Sequence, residues 1–164
     1  MRKSFSAALA AVAAIGMAFG ADEKKDTKAG CEPPPTQLVK KDLKEGDGKV
    51  VEFRTPILAG YTGWLYEPCA PDHKGAKFDS SEGRSTPFGF VVGAGRVIKG
   101  WDEGVIGMKE HGKRLLVIPP DKGYGERGAG GGKIPPNATL VFEVEVVEVL
   151  GSGPSVKTVP APKK

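Results

Sequence analysis

The side chains that could do chemistry in this chain are aromatic rather than nucleophilic or metal-ligating. His73 and His111 lack the spacing of a metal-binding pair, and no serine lies in a nucleophile motif. The glycine-rich stretches at 93–98 and 128–134 lack residues that dinucleotide- and phosphate-binding loops require. The sequence therefore predicts neither a metal site nor a cofactor, and the aromatic residues become the candidates for a binding pocket.

Trp101 lies in a short apolar stripe, because Val97, Trp101 and Val105 recur every four residues. Gly100 and Gly104 lower the intrinsic helicity of this stretch, so tertiary packing must hold the helix. Two interpretations follow. The tryptophan is either packed in a core, or it forms the floor of a pocket.

Polar groups among the aromatic residues favour the pocket. Buried tyrosine hydroxyls need hydrogen-bond partners, which makes a purely structural role less suitable for Tyr61 and Tyr124. A structural core also has no use for Asp79 directly beside Phe78.

An antiparallel sheet and one short helix must position these residues. Strands are predicted at 37–44, 50–65, 77–80, 86–91, 112–118 and 140–150, and a helix at 99–106. The last strand alternates with period two, which buries Phe142 and Val144 on the face that the helix would cover. Asp47 and Gly48 form a hairpin-type signal after the first strand, and 121–137 is too rich in glycine and proline for regular structure. The pattern predicts an α+β domain.

Six segments, taken in order, closely resemble the FKBP-type peptidyl-prolyl isomerase domain. They are GYTG at 60–63, KFDSS at 77–81, TPF at 86–88, VIKGWDEG at 97–104, GYG at 123–125 and IPPNATLVF at 134–142. Each is weak alone, but the ordered set spans most of 36–150. The resemblance implies a five-stranded antiparallel β-sheet wrapped around the short α-helix, with Trp101 as the floor of the pocket between them.

The resemblance also implies residue roles. Asp79 is expected to be a buried-edge carboxylate near the reacting amide, with Arg84 as its basic partner. The Ile98 N–H and the Tyr124 hydroxyl are expected to bind substrate carbonyls. The catalytic set is thus Asp79, Tyr124, Ile98 and Trp101, and the substrate-binding set is Tyr61, Phe78, Phe88 at the edge, Val97, Ile134 at the rim and Phe142.

The chain differs from the commonest pattern of this family at the rim of the pocket. Gly60 replaces a residue that is often bulkier, and Arg96 replaces one that is often acidic. The stretch 64–77 is longer than usual, and 128–132 has no bulky residue at its tip. The residues expected at the floor are unchanged.

The ends of the chain predict export. A basic start, an apolar run at 7–19 and small residues at 18 and 20 indicate a signal peptide at 1–20. A flexible linker at 21–35, the isomerase domain at 36–150 and a disordered tail at 151–164 are predicted to follow. Cys31 and Cys69 are the only cysteines, which in an exported chain favours one disulfide over two free thiols or a redox pair.

The predicted function is that of a bacterial peptidyl-prolyl cis-trans isomerase, periplasmic or secreted, that needs no cofactor. Proline-containing polypeptides are the expected partners, macrolides such as tacrolimus and rapamycin are expected ligands, and a monomer without a membrane anchor is expected. Without Arg2 and Lys3 the 24 basic residues fall to 22 against 20 acidic ones, a balance that does not predict nucleic-acid binding. A non-catalytic peptide-binding chaperone and an interaction domain acting through the loop at 67–75 stay as alternatives.

Overall fold

The computed structural model describes residues 31–151, in which six β-strands and one α-helix are found. They are β1 (Val39–Lys44), β2 (Pro56–Tyr66), β3 (Lys74–Ser80), β4 (Phe88–Val91), α1 (Lys99–Gly104), β5 (Lys113–Ile118) and β6 (Leu140–Val149). The predicted signal peptide, the linker at 21–30 and the tail at 152–164 lie outside the described residues. Within 31–151, no helix has the length and hydropathy needed to span a membrane.

The strands pair antiparallel in the order β1-β5-β6-β2-β3, and β4 also pairs with β2. β4 lies beside 56–59 of β2 and β3 lies beside 62–66, on the edge opposite β6. β3 and β4 thus occupy the same strand position in the sheet, with an interruption between them. This explains why six strands are found where the family resemblance implied a five-stranded sheet, and the predicted α+β architecture is confirmed.

The hairpin expected at Asp47 and Gly48 is wrong. β1 pairs with β5, which is distant in sequence, and not with β2. After β1 the chain instead runs beside 107–110, where Val51 N–H donates to the Met108 carbonyl at 2.7 Å. Long-range pairing has therefore overridden a local turn signal.

One hydrophobic core lies between α1 and the sheet. From Leu140 to Val146, every second residue of β6 points into it, as the alternation predicted, and Leu116 and Ile118 of β5 join them. On the other face Leu115, Val117 and Val141 form a smaller buried cluster. β5 and part of β6 are consequently buried on both faces, and the helix packs against this buried centre of the sheet.

Two glycines let α1 approach β5 closely. A Cβ on Gly100 would come within 2.4 Å of Ile118 Cγ2, and one on Gly104 within 2.7 Å of Leu116 Cδ1. The helix ends at Gly104, two residues earlier than predicted, and the buried Arg114 donates to the Gly104 carbonyl at 2.8 Å. A cation on the free carbonyls of a helix end is favourable, so Arg114 fixes the position of the helix that carries Trp101.

Residues 31–35, part of the predicted linker, are held against the domain. The predicted Cys31–Cys69 disulfide is confirmed, with the two Cα atoms 4.0 Å apart. Glu32 N–H donates to the Pro68 carbonyl at 3.1 Å, and the Tyr66 hydroxyl donates to the Glu32 carbonyl at 3.0 Å. The start of the segment before β1 is therefore tied to the domain.

Candidate functional site

A pocket of about 360 Å³ opens between α1, the segment at 95–98 and the sheet. Aromatic and aliphatic side chains dominate its walls, and Asp79 and Arg96 are the charged residues that line it. The lining residues are Tyr61, Phe78, Asp79, Phe88, Gly95, Arg96, Val97, Ile98, Trp101, Tyr124 and Phe142. Every predicted site residue except Ile134 is therefore brought to one cavity.

Trp101 lies at the base of an aromatic cluster. Its ring centroid is 5.1 Å from that of Tyr61, 5.3 Å from Phe142 and 6.0 Å from Phe88, each in an edge-to-face arrangement. Trp101 is only 4% exposed, and its Nε1–H has no hydrogen-bond partner among residues 31–151. The tryptophan is thus part of the core and of the pocket at once, so the two interpretations drawn from its spacing both hold in part.

Asp79 forms the polar edge of the pocket. The Tyr61 hydroxyl donates to Oδ2 at 2.6 Å, the Arg84 guanidinium donates to Oδ1 at 2.7 Å, and Ser80 N–H donates to Oδ1 at 2.9 Å. The expected pairing with Arg84 is confirmed. Asp79 is not the buried-edge carboxylate that was predicted, because 45% of its side chain is exposed on the outer edge of β3.

Both pocket tyrosines stay protonated well above neutral pH. Burial, together with the hydrogen bond to Asp79, raises the pKa of Tyr61 to about 12. Burial and the negative charge of Asp79 also raise the pKa of Tyr124. Both phenol O–H groups consequently keep their protons at physiological pH, with Tyr61 donating to Asp79.

Two donors that line the pocket lack partners within 31–151. The Tyr124 hydroxyl, at the start of a glycine-rich 3-10 turn, makes no hydrogen bond there. The N–H of Ile98, which precedes α1 in an extended conformation, also donates to no group in this range. Because neither group has a hydrogen-bond partner within 31–151, both are suited to binding a carbonyl-bearing ligand.

Ile134 does not line the pocket. Its side chain is 6% exposed and packs in the main core, while its backbone pairs with Ala129. The glycine-rich loop turns back on itself at this pairing and so draws Ile134 inward. The structure gives no support for the rim role expected of it.

Asp102 is a positioning residue that the sequence did not indicate. Its carboxylate accepts from Gly93 N–H at 2.7 Å and from Gly95 N–H at 3.0 Å. These bonds tie the first turn of α1 to the loop that forms one wall of the pocket. An acidic residue in a first helical turn is a common pattern, so only the fold could show which loop it holds.

The site does not resemble a metal centre. Within the described part of the chain, no three His, Cys, Asp or Glu side chains are grouped closely enough to hold an ion. The polar groups of the pocket are mainly hydrogen-bond donors, which are suited to binding carbonyl oxygens.

Comparisons with known proteins agree with this geometry. A family model described as FKBP-type peptidyl-prolyl cis-trans isomerase matches residues 47–147, the range that contains every pocket residue. An FK506-binding protein of Neisseria meningitidis serogroup A is 54% identical over 112 residues, which cover 68% of this chain and 95% of that protein. An FK506-binding protein of Streptomyces anulatus is 47% identical over 116 residues, which cover 71% and 89% respectively.

Solved structures resemble the fold as well. The crystal structure of AtFKBP13 has a TM-score of 0.59 and 38% identity, covering 71% of this chain and 95% of that one. FkpA from Escherichia coli has a TM-score of 0.58 and 36% identity, covering 75% of this chain and 53% of the other. The similarity therefore extends over the sheet, the helix and the pocket.

Proposed function

Because the chain belongs to the FKBP-type peptidyl-prolyl cis-trans isomerase family, we propose that the pocket over Trp101 accelerates X–Pro rotation in exported, folding polypeptides. The enzyme class follows from the family. The export, the folding role and the mechanism are the proposal. Its main support is a set of apolar walls combined with two donors that have no partner among the described residues, the Ile98 N–H and the Tyr124 O–H.

Amide resonance sets the barrier that the pocket must lower. That resonance keeps the peptide bond planar, at a cost of ~18–20 kcal/mol for rotation. Rotation breaks no covalent bond, so a nucleophile is unnecessary. Twisting the C–N bond removes resonance and makes the amide less dipolar. An apolar aromatic slot therefore disfavours the planar ground state more than the twisted transition state.

The donors hold the chain on either side of the turning bond. A carbonyl bound by Ile98 N–H and another bound by Tyr124 O–H would fix the flanking residues while the prolyl ring lies against Trp101. Each tenfold gain in rate needs about 1.4 kcal/mol of discrimination between the two states. Shape, low polarity and two hydrogen bonds are of the right order to supply it.

Asp79 contributes electrostatically in this proposal. Its carboxylate is oriented by Tyr61, Arg84 and Ser80, so its negative charge has a fixed position beside the cavity. A fixed charge does not have to reorganise during the reaction, which is how preorganised groups stabilise a transition state. It would favour the carbonyl carbon of the twisted amide, which is more electropositive than in the planar form.

Isomerisation of a Leu-Pro peptide, followed by NMR exchange, tests the proposal. We expect catalysis by the wild-type protein and clear losses of kcat/KM in Asp79→Val and Tyr124→Phe, with unfolding midpoints little changed. A non-catalytic chaperone would bind the same peptide and leave its exchange rate unaltered. Absence of exchange at high protein concentration would rule out the enzyme.

The compartment and ligands are proposed on separate grounds. The Cys31–Cys69 disulfide fits an oxidising environment, and the predicted signal peptide would deliver the chain there.

The named relatives are FK506-binding proteins, so we propose that macrolides of this type occupy the same pocket and compete with peptide. Inhibition that is overcome by raising the peptide concentration would support this shared site.

A further inference from the structure

The charges around the pocket are unevenly compensated. Asp79 is paired with Arg84 at 2.7 Å and also accepts the Tyr61 hydroxyl, so its charge already has partners within the protein. Arg96 lines the same pocket and is exposed, yet it makes no ion pair or side-chain hydrogen bond within 31–151. Within 31–151, the unpaired charge of the pocket lining is therefore positive.

Neighbouring groups reinforce this asymmetry more than they cancel it. Lys99, at the start of α1, is exposed and has no ion-pair partner in the described range. Glu103, on the same helix, is paired with Lys122. Asp102 is the nearest acidic residue in sequence, and both of its oxygens are taken up by Gly93 N–H and Gly95 N–H. Among the residues that line the pocket, Arg96 is thus the cation without an ion-pair partner in the described range.

The backbone places Arg96 within reach of the residues that flank a bound proline. Arg96 precedes Ile98 by two residues in a bent segment, and since even a fully extended chain spans at most about 3.6 Å per residue, the two backbone positions are no more than about 7 Å apart. The hydrogen bonds of Asp102 to the preceding glycines hold this segment in place. A peptide held at Ile98 would therefore carry a neighbouring side chain close to the guanidinium.

We propose that Arg96 makes this isomerase select prolines flanked by an acidic residue, Glu or Asp, within two positions of the X–Pro bond. The inference rests on the proposed function, because it assumes that the peptide lies along the 96–98 wall. Exposed ion pairs contribute modestly, which corresponds to about a two- to fivefold preference at low salt. The preference acts on binding and not on rotation, so it should appear as a lower KM for the acidic peptide.

A matched peptide series measures the preference. Glu-Pro and Gln-Pro peptides differ in charge but hardly in size, and a second pair carries Glu or Gln directly after the proline. NMR exchange gives kcat/KM above the uncatalysed rate for each peptide. We expect the wild-type protein to favour the Glu peptide of at least one pair by about two- to fivefold, and 1 M salt to abolish the difference.

Charge variants assign the effect to one residue. Arg96→Gln should bring the Glu to Gln ratio to about one, and Arg96→Glu should invert it. Lys40→Glu makes the same charge change on exposed β1, outside the pocket, and should keep the wild-type ratio. A ratio near one in the wild-type protein overturns the proposal, and so does a ratio that survives Arg96→Gln. Failure to isomerise even the Gln peptides would instead refute the underlying function.

Discussion

Tyr61→Phe is expected to lower kcat/KM about fivefold without disturbing the fold. The change removes the hydroxyl that donates to Asp79 Oδ2 at 2.6 Å and keeps the ring that packs edge-on against Trp101. A hydrogen bond to a charged group contributes about 1.5–3 kcal/mol. Because 45% of the Asp79 side chain is exposed, water replaces part of the lost donor, and about 1 kcal/mol, a factor of about five, remains.

Tyr66→Phe is the matched control. Tyr66 lies on the same strand, and its hydroxyl donates to the Glu32 carbonyl at 3.0 Å, outside the pocket. We expect its kcat/KM to equal that of the wild-type protein. NMR exchange on a Leu-Pro peptide gives the activities, and urea unfolding of both variants shows whether stability has changed.

A double-mutant cycle tests whether Tyr61 acts through Asp79. In an Asp79→Val background the hydroxyl of Tyr61 has lost its acceptor, so Tyr61→Phe should cause no further loss, and the coupling should be about 1 kcal/mol. Additive losses would show that the hydroxyl acts independently of the carboxylate. An unchanged kcat/KM in Tyr61→Phe alone would refute the view that Asp79 must be oriented to work.

Three further outcomes are expected. Replacing Cys31 and Cys69 by serine opens a link across 38 residues and should lower the unfolding free energy by about 3.9 kcal/mol, as measured by urea titration. In the peptide assay, kcat/KM should be unchanged. Gly104→Ala should cost about 1–3 kcal/mol because its Cβ meets β5, whereas Gly60→Ala, 3.7 Å from its nearest neighbour, should be tolerated; equal unfolding midpoints would contradict this. Since the pKa of Tyr61 is raised to about 12, the stability from its protonated form is complete below pH 10 and is lost between pH 10 and about 12; Tyr61→Phe should remove that part of the alkaline decline.

Patterns that reflect burial were read correctly from the sequence. The period-two alternation of β6 placed Phe142 and Val144 on the helix-facing side, where both are buried. The four-residue repeat through Trp101 and Val105 placed α1 against the core. Hydrophobic periodicity indicates which face of a helix or strand is buried, so a single sequence contains this information.

Three features that depend on the folded arrangement of the chain were predicted wrongly. Asp47 and Gly48 carry a hairpin signal, yet the register of β1 is set by β5. Ile134 was expected at the rim, but the closing of the glycine-rich loop draws it into the core. Asp79 was expected to be buried, and its exposure follows from the position of β3 at the sheet edge. In each case the outcome depends on how the chain folds back or where a strand lies in the sheet, which a local sequence pattern does not show.

Along the edge of β2 that pairs with β3 and β4, the residues that pair with the pocket carboxylate are separate from those that form the core. Residues 82–87, which join β3 to β4, are exposed and belong to neither strand, yet they carry the guanidinium that balances Asp79. Under the proposed mechanism, mutations in this connection would alter the electrostatics beside the bound amide and leave the packed interior untouched. Selection can therefore adjust this enzyme through a few surface positions, at little risk to folding.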